Sequence, residues 1–381
     1  MTSLQWMGVA ELLCLAAAAL AVGSGIAHAR QVRAPGDGPV TRAPLVSRLT
    51  MAAVALGAVA TLISLWQKYI EVNHFPSQTM GEVLTVFSFC LLLSMFVLHY
   101  AMGLHRRGPG WAILDDALVL IVVLGTYSTF SHIQSLPTAQ RDLPPALQSY
   151  WFSPHIAALI FSYATLAIAG ALCLVYFTTR FWSGVFSGGQ PRGRQLIVLA
   201  LLVLVPFSQI VTIPALVLCG LVFVVLKFTN RLPSPEAITG LEREIDQVSF
   251  RAFSVGFPFL TAGLFMGAFW AQEAWANYWG WDSKENSALI SWLIYVIYVH
   301  LRMLGGYRGD KAMAVLTSGA LSIFITFQLF GYLPDSQKSL HRYTDDNVVP
   351  REGMQGETTS GESARLPATT SEEEGEGGRS R

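Results

Sequence analysis

Charge is what this sequence has least of. Only 13% of its 381 residues are Asp, Glu, Lys or Arg, while 52% are hydrophobic and the mean hydropathy is +0.45. A soluble chain carries about 25% charged residues, so soluble enzyme folds are excluded for most of this one and the bilayer becomes its expected solvent. A basic stripe is lacking as well. Residues 342–381 hold nine acids and five arginines, which leaves 20 basic and 16 acidic residues in the rest of a formally neutral chain. That balance makes no electrostatic case for nucleic-acid binding. Cysteine is scarce: Cys14, Cys90, Cys173 and Cys219 each lie inside an apolar stretch and none forms a CxxC pair. A disulfide scaffold, a zinc site and a thiol-exchange motif are therefore disfavoured. No internal repeat is present.

Apolar runs long enough to span a membrane, about 20 residues each, fall at 5–27, 49–67, 82–104, 111–131, 152–178, 251–270, 287–304 and 312–333. A ninth run, 196–227, is too long for one crossing. It is short for two, and contains Pro206 and Pro214. Loop charge resolves the count. If 28–48, 105–110, 179–195, 227–251 and 302–311 are cytoplasmic, they hold 16 of the 20 basic residues of the body, leaving Lys68, Arg141, Lys284 and Lys338 outside. The positive-inside rule then requires 196–227 to enter and leave on one side, as a short helical hairpin or a re-entrant loop. The expectation is an all-α polytopic membrane protein of about eight spans plus that hairpin, both termini extracytoplasmic. The membrane domain covers 1–341 and a disordered acidic tail covers 342–381. Residues Met1 to Gln5 bear no Lys or Arg and the charges follow the first run. This is the pattern of a retained helix in a bacterial cytoplasmic membrane rather than of a signal or transit peptide.

The unusual residues gather on the outer side. Between the spans ending at Trp270 and starting at Ser287, the external loop 271–286 carries Trp275, Tyr278, Trp279 and Trp281, followed by Asp282, Lys284 and Glu285. Such residues form either an interfacial aromatic belt or a platform for a flat amphipathic ligand. His155 lies about 5 Å inside the outer end of its span by helical rise. His341 follows the last span on the same face, and His74 and His132 are external too. His300 is placed about 20 Å down its span, in the cytoplasmic half. An ionisable group there is a functional candidate, unless it bonds to a neighbouring helix or snorkels beside Arg302. Imidazoles around an aromatic loop point to a planar metallo-ligand such as haem.

The run Gly267-Ala268-Phe269-Trp270-Ala271-Gln272-Glu273-Ala274-Trp275, continuing through Tyr278-Trp279-Gly280-Trp281-Asp282-Ser283-Lys284-Glu285, resembles the tryptophan-rich WWD signature of the cytochrome c assembly family, which includes CcsA (ResC), CcmC and CcmF. Ala288 to Leu293 followed by His300, Leu241 to Arg251 followed by Gly256-Phe257-Pro258, and His74-Phe75-Pro76 with Glu82 are similar to the CcsA branch of system II cytochrome c biogenesis. So are Gln148-Ser149-Tyr150-Trp151 with His155, and Leu340-His341. Ser283, Asn286 and Ser287 stand where the family has Pro, Thr and Trp, about five extra residues precede His341, and Arg342 replaces a Ser.

The resemblance implies that the loop binds haem b at the outer face, with Trp275, Trp279, Trp281 and Asp282 in the site and His155 and His341 as axial ligands. His300 would hold haem in transit. Asp282 or Glu273 would support the imidazoles and Lys284 a propionate. The implied activity is a cytochrome c synthetase, presenting ferrous haem for thioether formation with apocytochrome CxxCH cysteines. That lyase activity would be expressed only together with a CcsB (ResB) partner and supported by a thiol-reducing thioredoxin-like protein. The protein itself would supply no nucleophile. The alternatives are a CcmC-like haem delivery protein without ligation activity and a support protein for haem synthesis.

Overall fold

The structure, a computed structural model, describes residues 2–31, 45–103, 109–136, 145–186, 196, 198–199, 209–230, 232 and 234–326. His341, the tail 342–381 and most of the first arm of the expected hairpin lie outside them. Among the described residues every regular element is helical. The helices are α1 (Ser3–Gln31), α2 (Leu45–Val72), α3 (Met80–Met102), α4 (Pro109–Gln134), α5 (Phe152–Phe186), α6 (Gln209–Phe228), α7 (Pro235–Trp275), α8 (Ser283–Met303) and α9 (Asp310–Phe324), with a 3₁₀ turn at Pro145–Gln148. Within the described residues each of the eight expected spans overlaps a helix, and six of these helices (α1 to α5 and α7) are long and apolar enough to cross a membrane. The all-helical polytopic expectation holds. α8 differs because Lys284, Glu285 and Arg302 lie near its ends, and the described part of α9 has 15 residues. The second half of the 196–227 run carries α6, 20 residues long where an even division of the run leaves about 16.

One boundary needs correction. The stretch 227–251, read as a cytoplasmic loop, is helical from Pro235 onward, so α7 runs unbroken for 41 residues. At 1.5 Å per residue that is about 60 Å, twice a hydrocarbon core of roughly 30 Å. Its start is encoded locally. Ser234 caps it by accepting from the Ala237 amide at 3.2 Å, and Pro235, which has no amide hydrogen to leave unpaired, takes the first position. Residues 241–251, which resemble the family's entry helix, are helical, and Ile238, Ile245, Val248, Ala252 and Phe253 are buried along one face of this polar stretch, with Pro258 inside the helix beyond it.

Packing follows small residues. α7 lies along α5 through Gly256, Gly263 and Gly267, where an added Cβ would stand 2.5 Å from Thr165, 2.6 Å from Leu159 and 2.6 Å from His155. In a membrane, where apolar burial drives helix pairing weakly, such close backbone approach is a main source of association. α1 packs on α2 and α4, α3 joins α4 and α2 to α5, and α9 packs on α8 and α5. α8 is tied to α7 by a buried ion pair, Arg302 Nη1 to Asp246 Oδ1 at 2.5 Å, with the Arg302 guanidinium 4.7 Å from the Phe250 ring centre. Two further buried pairs link α4 to its neighbours: His28 Nδ1 to Asp116 at 2.7 Å and His99 Nδ1 to Asp115 at 2.5 Å.

Candidate functional site

His155 occupies the first turn of α5, which the chain enters through the 3₁₀ turn and the bonds from the Phe152 amide to Ser149 O and from the His155 amide to Trp151 O. Its ring is buried against α7, where Gly267 leaves room for it. Nδ1 lies 2.8 Å from the Gly263 carbonyl oxygen. A carbonyl only accepts, so Nδ1 carries the proton and Nε2 the lone pair, the tautomer of a metal-ligating imidazole held by a backbone acceptor. Trp270 stacks on the ring, centroids 5.7 Å apart and planes 20° apart, and is itself fixed by donation from its Nε1 to Ala146 O at 2.7 Å. Position, tilt and tautomer of His155 are thus held by the Gly263 carbonyl and Trp270 of α7, with Trp270 anchored in turn on the 3₁₀ turn that precedes α5.

Opposite the imidazole, the aromatic loop is shaped by its backbone. α7 ends at Trp275 because Ala276 turns left-handed, at φ 55°, with its amide bonded to Gln272 O. Trp281, at φ 57°, makes the second sharp turn. Asp282 then caps α8, while the Glu285 carboxylate accepts from the amides of Gly280 (2.8 Å) and Asp282 (3.2 Å). His155, Trp270, Tyr278, Trp279, Lys284 and Glu285 line one open cavity of about 190 Å³. Closed ligand sites usually enclose roughly 300–1,000 Å³, so a flat ligand seated here keeps an edge outside. The Trp279 Nε1 is buried and has no hydrogen-bond partner among the described residues, a donor that an acidic ligand group would satisfy.

Not every expected residue lines that cavity. Trp275 packs edge-on against Trp270 at 4.8 Å, in the aromatic cluster behind the imidazole. Trp281 is 71% exposed and turned outward, 6.1 Å from Trp279. Asp282 serves the start of α8. Glu273 accepts from the Ser149 hydroxyl, so the group observed to hold the His155 tautomer is Gly263's carbonyl rather than either carboxylate named from the sequence. His341 lies outside the described residues. His74 is half-buried in the bend that follows α2 and His132 is exposed in the last turn of α4, while Glu82 caps α3 by accepting from the Gln78 and Thr79 amides, with Lys68 3.8 Å away.

His300 sits in the last turn of α8, nearer its end than the sequence expectation placed it. It is exposed, and its Nδ1 donates to Val296 O of its own helix at 2.8 Å, so it bonds to no neighbouring helix there. Arg302 points the other way, into the pair with Asp246. Ile290, Leu293, Ile297 and Leu304 continue the outward stripe that carries His300.

Sequence reasoning included Trp270 in the signature without giving it a role, and passed over the Gly263 carbonyl, which no side-chain pattern reports. It also passed over the two His–Asp pairs. There the signal existed: Asp115 and Asp116 stand consecutively inside an expected span, which is costly unless paired.

Comparison with known proteins adds an independent line. The family model described as cytochrome C assembly protein matches residues 50–335. Curated relatives named cytochrome c biogenesis protein CcsA include that of Guillardia theta, 30% identical over 288 residues (76% of this chain, 83% of that protein). The Heterosigma akashiwo protein is 32% identical over 284 residues (73% and 78%), and that of Synechocystis sp. 30% over 307 (76% and 86%).

Proposed function

The chain belongs to the cytochrome c assembly protein family, and on that premise we propose that it presents haem b at the extracytoplasmic face for covalent attachment to apocytochrome c. A membrane location and a role in cytochrome c maturation follow from the family and the helices. The orientation, with eight spans and both termini outside, and the bacterial cytoplasmic membrane are part of the proposal. The observation that carries it is His155: a buried imidazole with its tautomer fixed by Gly263 O, set in a cavity whose other wall is Trp279 and Lys284.

In this reading His155 Nε2 and His341 are the axial ligands, Trp279 and Tyr278 take the ring face, and Lys284 pairs with a propionate. Each substrate S–H adds across a vinyl C=C, sulfur to one carbon and hydrogen to the other, so bond formation consumes no oxidant and needs no protein nucleophile. The four cysteines, placed in apolar helices, fit that division of labour. The site contributes position, holding the vinyl edge where the two thiols arrive. The exposed His300, in an otherwise apolar stripe, is the expected contact with a CcsB (ResB) partner, where the two chains hold haem in transit. A thioredoxin-like protein keeps the client thiols reduced.

The test is the protein copurified with its CcsB-like partner, as wild type, His155→Ala and His341→Ala. Wild type should carry ferrous low-spin haem and attach it to an apocytochrome CxxCH segment. Each variant should lose the haem or regain it with added imidazole. Unchanged spectra in both variants would overturn the ligand assignment, and bound haem without thioether product would reduce the role to delivery.

A further inference from the structure

At the opposite end of the bundle, Tyr176 and Arg180 of α5, Glu242, Arg243 and Asp246 of α7 and the α8–α9 connection around Arg308 to Lys311 enclose a cavity of about 580 Å³. It lies just beyond the apolar parts of α5, α7 and α9, where those helices would leave the hydrocarbon. Its acids are already engaged. Asp246 is paired with Arg302, and Arg180 serves both Glu242 and Asp310. Tyr176 donates to Asp310 at 2.8 Å. Arg180 Nε lies 3.1 Å from Asp310 Oδ1, yet is buried without an aligned acceptor among the described residues. That leaves Arg243, Arg308 and Lys311, all exposed and none in an ion pair among the described residues; Arg308 Nη1 donates to the Arg302 and Tyr307 carbonyls and Lys311 lies over the Tyr307 ring. With Arg180 and Arg302 they set five cations against the three acids Glu242, Asp246 and Asp310, so the region stays net positive. α9 starts at the same cavity, and its N-cap, Gly309, supplies no side-chain acceptor to the first amides. Beside it Met303 and Leu304 are 71% and 82% exposed, apolar surface that a small inorganic anion would leave uncovered.

We propose that this cavity binds the phosphate headgroup of an anionic phospholipid, the three unpaired cations gripping the phosphates and the acyl chains covering Met303 and Leu304. Basic pockets between membrane helices recognise diphosphate lipids in this way. The site is independent of haem handling and stands or falls without it.

The test is native mass spectrometry of the full chain in detergent with tetraoleoyl cardiolipin, with phosphatidylcholine and free pyrophosphate as comparison arms. Wild type should bind cardiolipin in preference to phosphatidylcholine. Arg243→Gln/Arg308→Gln/Lys311→Gln should weaken it about a hundred-fold, since each surface charge contributes roughly a five-fold effect. Haem content and thermal midpoint should be unchanged, and Arg243→Lys/Arg308→Lys/Lys311→Arg should bind as wild type. Equal affinity of the neutralised variant for cardiolipin, or no preference over phosphatidylcholine in wild type, would overturn the proposal. So would a pyrophosphate site that cardiolipin does not compete for.

Discussion

Replacing Gly267 by alanine tests the outer site without touching a polar group. The added Cβ would lie 2.6 Å from His155 Cε1, 2.8 Å from Nδ1 and 3.4 Å from Nε2. To reach ordinary contact the ring must retreat by about 1 Å, because the interior is too well packed to absorb the overlap. The 2.8 Å bond to Gly263 O cannot survive that shift intact. Losing it costs about 1–3 kcal/mol for a buried group, and overpacking adds about 1–3 kcal/mol. Helix propensity returns about 1 kcal/mol, the usual gain of alanine over glycine. The net is a loss of roughly 1–5 kcal/mol, concentrated on one imidazole. Gly125→Ala in α4, where nothing lies within 4 Å of the new carbon, keeps only the favourable term and is the matched control. Thermal denaturation should show Gly267→Ala below wild type and Gly125→Ala at or above it. Haem recovered with the purified complex should fall at least ten-fold for Gly267→Ala alone, since a displacement of about 1 Å in a positioning group can cost a hundred-fold in function. A Gly267→Ala protein with wild-type haem content and spectrum would refute the argument that this glycine positions the ligand.

Three further outcomes are expected. His300→Ala should leave stability within about 0.5 kcal/mol, as an exposed site does, while the complex retains little haem; normal haem content on purification would count against a transit role. Asp246→Leu leaves Arg302 buried without its partner and should destabilise the chain by about 3–5 kcal/mol, with Asp246→Leu/Arg302→Met recovering much of it in denaturation assays. Glu285→Ala removes the acceptor for the Gly280 and Asp282 amides. It should cost about 1–2 kcal/mol and loosen the aromatic loop, seen as faster hydrogen exchange at those amides and reduced attachment rate.

The spans were legible because a bilayer demands a length of apolar sequence that nothing else in the chain supplies; 152–178 and 251–270 announce themselves. The N-terminal half of α7 was legible only through the resemblance of 241–251 to an entry helix, because Glu242, Arg243 and Asp246 imitate a loop while Ile238, Ile245 and Val248 keep a helical period beneath them. At the site, His155 and Trp279 could be named from the signature. Their separation into a cavity wall, a packed cluster (Trp275) and an outward face (Trp281) depends on two left-handed backbone turns, at Ala276 and Trp281. Neither is a residue type that advertises such a conformation.

The unbroken course of α7 gives the molecule a lever. Gly263 and Gly267, which seat the imidazole, and Glu242 and Asp246, which floor the basic cavity, belong to one helix about 60 Å long, with the interior proline Pro258 between the two sets. A tilt of about 5° about its midpoint moves Gly263, about 12 Å from that point, by roughly 1 Å and Gly267, about 18 Å from it, by roughly 1.6 Å. A tilt of α7 therefore reaches the imidazole as a displacement of its seat, carried by the helix itself rather than relayed from side chain to side chain.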